Sequence, residues 1–279
     1  MLRILDARTG EPVPAAPARR GLTRIEARAF GLDPTALRVL LTADLLVRAL
    51  ELGGTPVWTI LTAPHRHAEL RAAATSLSIR PFEDGRDLAS GLGEAQAIHV
   101  TSETADVPGG GPVVGVAPVE WTGRPAGDRG AGSSSDGAGW SGGDTEAGLP
   151  DQARPSAGNP ALSVLLADPA ALRLALLSVP RGEPVRLSPV TLEEAGQRLA
   201  RWRRAVAGWA RRPSRPVPDE VRARLRSAWE DDLDLPAVLD VLRAVERAPD
   251  LPDGARFETY VYADRLLALD LARDLGRLV

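Results

Sequence analysis

Few side chains in this sequence could do chemistry, and the missing ones say as much as those present. The 279 residues contain no cysteine, so disulfides, thiolate metal ligands and cysteine nucleophiles are excluded. All 34 basic residues are arginine, which removes Schiff-base formation, a lysine general base and the compact ammonium that follows a phosphate. The three histidines are His65, His67 and His99. In an extended segment His65 and His67 would point to one face, as a metal pair does. No third ligand accompanies them, and Pro64 favours a loop or helix start, so they read as surface or capping residues. His99 falls inside a strand pattern and reads as a satisfied core residue. The run Pro108–Pro112 contains three glycines without the spacing or following helix of a phosphate loop, which makes it a tight turn. Ser133, Ser134 and Ser135 have no base nearby in sequence. The acids Glu193, Glu194, Asp231, Asp232 and Asp234 read as helix-end charges.

The remaining constellation is basic. Between positions 198 and 226 there are ten arginines and only two acids, Asp219 and Glu220, with Trp202, Trp209 and Trp229 at or beside the segment. Arginines interleaved with aromatics suit phosphate backbones and stacked bases, and Arg201, Arg204, Arg211, Arg212 and Arg215 are the candidate RNA contacts. A solvated helix face with its tryptophans in the core is the competing interpretation.

These residues must be held by an α/β scaffold. Arg3–Asp6, Thr23–Phe30, Pro56–Leu61, Ala97–Thr101 and Val113–Ala117 read as strands. Between them, Leu37, Leu40, Leu41, Leu45, Leu46 and Leu50 lie at helical spacing and end at Gly53 and Gly54, and a second helix is expected from about His65 to Ser76. Alternation of this kind implies a Rossmann-like parallel sheet over residues 1–121. Residues 122–157 are Gly/Ser-rich and nearly devoid of apolar side chains, the composition of a disordered linker; Trp140 stands alone in it. From 158 to 279 the pattern is that of an α-helical bundle. An apolar stretch runs from Ala161 to Ser178. Leu192, Ala195, Leu199, Trp202, Val206 and Trp209 form a seam, with a capping box at Thr191 and Glu194. Further helices are expected at about 219–230, 236–247 and 260–278. No apolar run is long enough to span a bilayer and the N-terminus lacks the apolar core of a signal peptide, so a cytoplasmic protein without membrane contact is expected.

Several separated stretches resemble the cysteinyl-tRNA synthetase and mycothiol ligase family, of the class I aminoacyl-tRNA synthetase type. They are Ile4–Asp6 with Thr9–Pro14 and Gly21–Ile25, then Asp44–Gly53, then Gly158 and Asn159 with Asp168–Ser178, and finally Trp229–Leu239. The resemblance implies a class I synthetase-like Rossmann sheet that binds ATP through a His-x-Gly-His signature at the start of its first helix. Asp33, Pro34, Thr35 and Ala36 stand at that place here. The second signature, Lys-Met-Ser-Lys-Ser, falls on Gln152–Ser156, where Ser156 agrees and is followed by the matching Gly158 and Asn159. The family's thiol-reading zinc would need ligands that this chain lacks. A capping aspartate with proline at the first helical position satisfies the amides that a phosphate would need and repels an anion. The chain therefore reads as a truncated, catalytically degenerate relative with no catalytic residues, no zinc and only relic ATP positions. Its expected role is a non-catalytic binding or regulatory module for a protein partner or tRNA-like RNA. The alternative is a divergent ATP-dependent ligase of the cysteine–tRNA or cysteine–amine type, forming an aminoacyl-adenylate with ATP as its cofactor.

Overall fold

The computed structural model describes residues 1–17, 21–84, 94–104, 107, 109–123 and 160–276. Most of the expected linker, including Trp140, and the second-signature positions Ser156, Gly158 and Asn159 lie outside the described residues, as do Ser133, Ser134 and Ser135.

A short antiparallel hairpin, β1 (Arg3–Leu5) and β2 (Pro12–Pro14), precedes the central sheet. That sheet has five parallel strands in the order β5 (Glu83–Asp84), β4 (Val57–Thr62), β3 (Leu22–Arg28), β6 (Glu94–Thr101), β7 (Val113–Gly115). The chain winds outward from β3 through α1 (Pro34–Leu52) and α2 (His67–Ser76), then returns to the other side of β3 at β6. This is the doubly wound order, and its topological switch point lies between β3 and β6. The β3 alternation explains its seat: Thr23, Ile25 and Ala27 are buried, whereas Arg24, Glu26 and Arg28 on the other face are half-buried.

Helix α1 is apolar on nearly every side and is the hub of the molecule. Fifteen of its 19 residues are buried, so it packs against the sheet on one flank and the helical half on the other. Its two buried charges are held mainly by groups from other elements. The Arg38 guanidinium donates to the carbonyls of Ala117 (2.9 Å), Glu183 (2.6 Å), Val179 (3.3 Å) and Pro180 (2.7 Å). Burial pushes its pKa down to about 10, opposed by Glu183 and helped by Arg181, which still leaves it charged at neutral pH. Asp44 accepts from Arg48 Nε at 2.8 Å and from Arg173 Nη2 at 3.1 Å.

The second half begins with α3 (Pro160–Leu165) and α4 (Pro169–Leu177). The apolar stretch from Ala161 to Ser178 forms two helices, because Asp168 caps the second, accepting from Ala171 N at 3.0 Å ahead of Pro169. Strand β9 (Val185–Leu187) then pairs in parallel with β8 (Val119–Trp121), stitching the helical half to the end of the sheet half. Helix α5 spans Pro189–Trp209, and its capping box is Ser188 with Thr191, not Thr191 with Glu194. Pro189 at the first helical position moves the start three residues upstream. α6 (Asp219–Glu230) and α7 (Leu235–Arg247) follow, then α8 (Asp253–Leu267). The last helix lies earlier than the expected 260–278. It starts after Pro252 and stops where Ala268 turns left-handed, while the Asp264 carboxylate accepts from the backbone N–H of Leu269 (2.7 Å) and Leu271 (2.9 Å). One continuous apolar core includes Ile25, Leu40, Leu46, Leu174, Trp202 and Tyr260, so α1 and the later helices share an interior.

Candidate functional site

In a doubly wound sheet a ligand sits beyond the carboxyl ends of the strands at the switch point. Here that place is the end of β3, the loop that follows, and the first turn of α1. Asp33 is extended (φ −144°, ψ 170°) and its Oδ1 accepts from Ala36 N at 2.9 Å, while Leu37 N donates to Asp33 O at 3.2 Å. Pro34 has no N–H to offer. Thr35 Oγ1 accepts from Val119 N at 3.0 Å, and Ala36 is buried. The four positions at which the resemblance would place the first signature are thus built into the helix cap and its seam with β8. An anion approaching this turn meets a carboxylate where a free N–H group is needed.

The neighbouring polar groups are also spent on each other. Glu26 Oε1 accepts from Thr62 Oγ1 at 3.0 Å and from Arg28 Nη1 at 3.3 Å, and Oε2 lies 3.3 Å from His99 Nδ1. The adjacent His99 ring, aided by Thr62 and Arg28, holds the Glu26 carboxyl below the usual carboxylate range despite its burial. His99 is itself buried, and its Nε2 sits 3.3 Å from Gly110 O. Thr101 Oγ1 closes a local turn with Glu103. Carboxylate–imidazole pairs can orient a base, but this imidazole has a neighbour at each nitrogen and no open face to a reactant. His99 is a core residue, as the strand pattern suggests, but it is not fully satisfied: Nδ1 faces Glu26 Oε2 without meeting hydrogen-bond geometry. Glu26, Arg28 and Thr62 were not singled out from the sequence. The one available signal was three charges, Arg24, Glu26 and Arg28, on alternate positions of an otherwise apolar strand.

The glycine run does not cradle a phosphate either. Gly111 has φ 101°, and a Cβ there would collide with the Ala97 carbonyl, so the turn lies flat against β6. It borders a cleft of about 610 Å³ with Asp6, Arg24 and Gln96, at the amino ends of β3 and β6 and away from the switch point. His65 is exposed and His67 opens α2. Among the described residues no group of three His, Cys, Asp or Glu side chains is arranged to hold a metal ion. No helix among them is long and apolar enough to cross a membrane.

The candidate RNA-binding arginines lie on α5 and the elbow after it. Arg201 Nε donates to Glu246 Oε1 at 3.1 Å, and Arg204 Nε reaches only the Ala200 carbonyl at 3.4 Å. Arg211, Arg212 and Arg215 are exposed, and Arg212 approaches Asp253 at 4.0 Å. The tryptophans are elsewhere. Trp202 and Trp229 are buried, and Trp209 packs edge-on against Tyr260 with centroids 5.1 Å apart. They fill the core seam, so the aromatic half of the expected Arg–Trp surface is not available for stacking.

No protein-family model matches the chain. Among curated proteins, it is 45% identical over 78 residues to the L-cysteine:1D-myo-inositol 2-amino-2-deoxy-alpha-D-glucopyranoside ligase of Thermobispora bispora, a stretch that is 28% of this chain and 18% of that one. It is 47% identical over 72 residues to the enzyme of the same name from Streptomyces griseus, covering 26% and 17% of the two chains. The Mycolicibacterium smegmatis enzyme of that name is 44% identical over 75 residues, covering 27% and 17%. The match thus spans less than a fifth of the length of these relatives. Over about a quarter of its length this chain is similar to these ligases, which belong to the cysteinyl-tRNA synthetase-like family that the sequence resembles.

Proposed function

We propose that this protein is a non-catalytic binding or regulatory module on a synthetase-like scaffold, acting on a protein partner or a tRNA-like RNA. The observation that carries this is the sealed first turn of α1, where Asp33, Pro34 and Thr35 are all committed to the cap and to β8. A charged cap stabilises the helix by about 0.5–2 kcal/mol, and displacing it for a phosphate would forfeit that energy and set two anions side by side. The absence of lysine and cysteine supports the same reading. Each missing transition-state contact typically lowers a rate by about 10²–10³, and groups that act together are lost together.

The second reading, an ATP-dependent ligase joining cysteine to an amine, is favoured by the identity to enzymes named for that reaction. One assay separates the two. The non-catalytic reading expects no cysteine-dependent exchange of pyrophosphate into ATP above a protein-free control, and no thermal stabilisation by millimolar ATP. A ligand at 100 times its Kd would add about 2.7 kcal/mol of stability. Exchange with cysteine or any other standard amino acid, or a clear ATP-dependent shift, defeats the proposal.

A further inference from the structure

We infer that the elbow joining α5 to α6 is a preformed site for the phosphate backbone of a nucleic acid. The inference rests on the binding-module reading above and gives it a partner chemistry.

Charge is sharply segregated in this chain. Residues 198–226 carry ten arginines and two acids, a balance of +8, whereas the whole chain is −3, which leaves −11 on the rest. At physiological ionic strength charges beyond about 8 Å are screened, so a polyanion near the elbow experiences the local balance and not the net charge, with Glu246, Asp253 and Glu258 of the neighbouring helices offsetting part of the +8. Many of the arginines in this stretch are already used. Arg203 donates to the carbonyls of Leu269 and Asp270, Arg222 pairs with Asp219, and Arg226 pairs with Glu230. Arg204, Arg211 and Arg215 face no carboxylate within ion-pair distance among the described residues, and Arg212 has only its 4.0 Å approach to Asp253. On α5, Arg201, Arg204 and Gly208 fall at steps of three and four on one exposed face, and the chain runs off that face into Arg211. The open space beside Gly208 keeps this stripe low between its two basic ends.

The elbow is rigid before any partner arrives. Gly254, at the start of α8, touches it so closely that a Cβ would collide with the Pro213 carbonyl. Ser214 Oγ donates to Glu258 Oε1 at 2.6 Å, Val217 is buried, and Pro213, Pro216 and Pro218 fix their own φ angles. Binding therefore orders side chains but not backbone, which lowers its entropic cost.

The partner class follows from what the surface lacks. A protein interface needs a desolvated apolar or aromatic centre. The large exposed apolar side chains among the described residues are Met1, Leu5, Phe30, Val164, Val190 and Leu275, none of them within 201–226. The guanidinium fork matches phosphate oxygens in a bidentate manner. Because Trp202 and Trp229 are buried and the half-buried Trp209 is packed between Tyr260 and Arg256, bases find no stacking platform, and contact is with the backbone and blind to sequence.

The test is binding of the full chain to unmodified tRNA and to a short DNA duplex, by anisotropy between 50 and 200 mM NaCl. The expected result is weak binding whose log K falls linearly with log salt. Replacing Arg211, Arg212 and Arg215 together with Gln should lower affinity and flatten that slope by roughly two to three. The matching Lys triple keeps the charge and should keep the slope. Arg204→Gln, on the helix itself, should flatten it by about one and serves should the Gln triple unfold. Binding to tRNA, DNA or both supports the site and names its source. The inference is overturned by no binding of either at 50 mM salt, by a Gln triple that binds as the parent does, or by polyglutamate competing as well as RNA per charge. None of these outcomes touches the ATP exchange result, so the two proposals fail separately.

Discussion

Asp44→Asn should be among the most damaging isosteric changes in this protein, although the residue sits in no ligand site. The Asp44 side chain is about 1% exposed, as is that of its partner Arg173. Its Oδ2 accepts from Arg48 and Arg173, and its Oδ1 accepts from the backbone N and the Nε of Arg80, both at 3.3 Å. Arg173 in turn donates to Leu267 O at 2.6 Å and to Leu77 O at 2.7 Å, so one guanidinium ties α4 to α8 and to the end of α2. Asparagine keeps the shape and removes the charge, leaving a buried cation with carbonyls for company. Breaking one partner of such a pair costs about 3–5 kcal/mol. At roughly 2–4 °C per kcal/mol for chains of this size class, the melting temperature should fall by about 6–20 °C. Asp44→Asn combined with Arg173→Met removes the stranded cation and should recover part of the loss. It should not reach the parent, because the Leu77 and Leu267 carbonyls lose their donor at about 1–3 kcal/mol each. The acid limb supplies an independent check. Burial alone would raise the Asp44 carboxyl, but Arg173 and Arg48 outweigh it and hold the group below its ordinary value. A carboxyl depressed in the folded state stabilises fully above its unfolded pKa near 4, and that stability is lost as pH falls through the lower folded value. Below about pH 4 the parent should therefore lose stability more steeply than Asp44→Asn. A melting-temperature drop under about 3 °C, or strictly additive single and double variants, would refute the reasoning.

Gly254→Ala should lower stability by about 1–3 kcal/mol in urea denaturation, because the added methyl must push the Pro213 carbonyl away; a neutral result would mean that the elbow is not clamped. Asp33→Ala should cost about 0.5–2 kcal/mol through the lost bond to Ala36 N without creating ATP-dependent thermal stabilisation, and a gain of ATP binding would show that the cap alone closes the site. Elemental analysis of untagged protein should find far less than one zinc per chain, with no change in melting temperature on adding EDTA; a stoichiometric metal would restore the catalytic reading.

What the sequence could tell depends on the range over which each feature is encoded. Strand and helix order, the Asp33–Pro34 cap and the α5 seam rest on residues within four positions of one another, and period and capping chemistry reveal them directly. The same local rules misplace boundaries where a competing cap lies a few residues away, as at Asp168, Ser188 and Ala268. The absence of lysine and cysteine excludes chemistry without any fold at all. Pairings across the chain carry no such signal. Arg173 meets Asp44 from 129 residues away, and Glu26 meets His99 because a parallel register places them side by side on neighbouring strands. Nothing in a run of ten arginines says which of them are satisfied, or that the tryptophans between them face inward. Those outcomes follow from which surfaces the core removes from water, and only the assembled tertiary structure decides that.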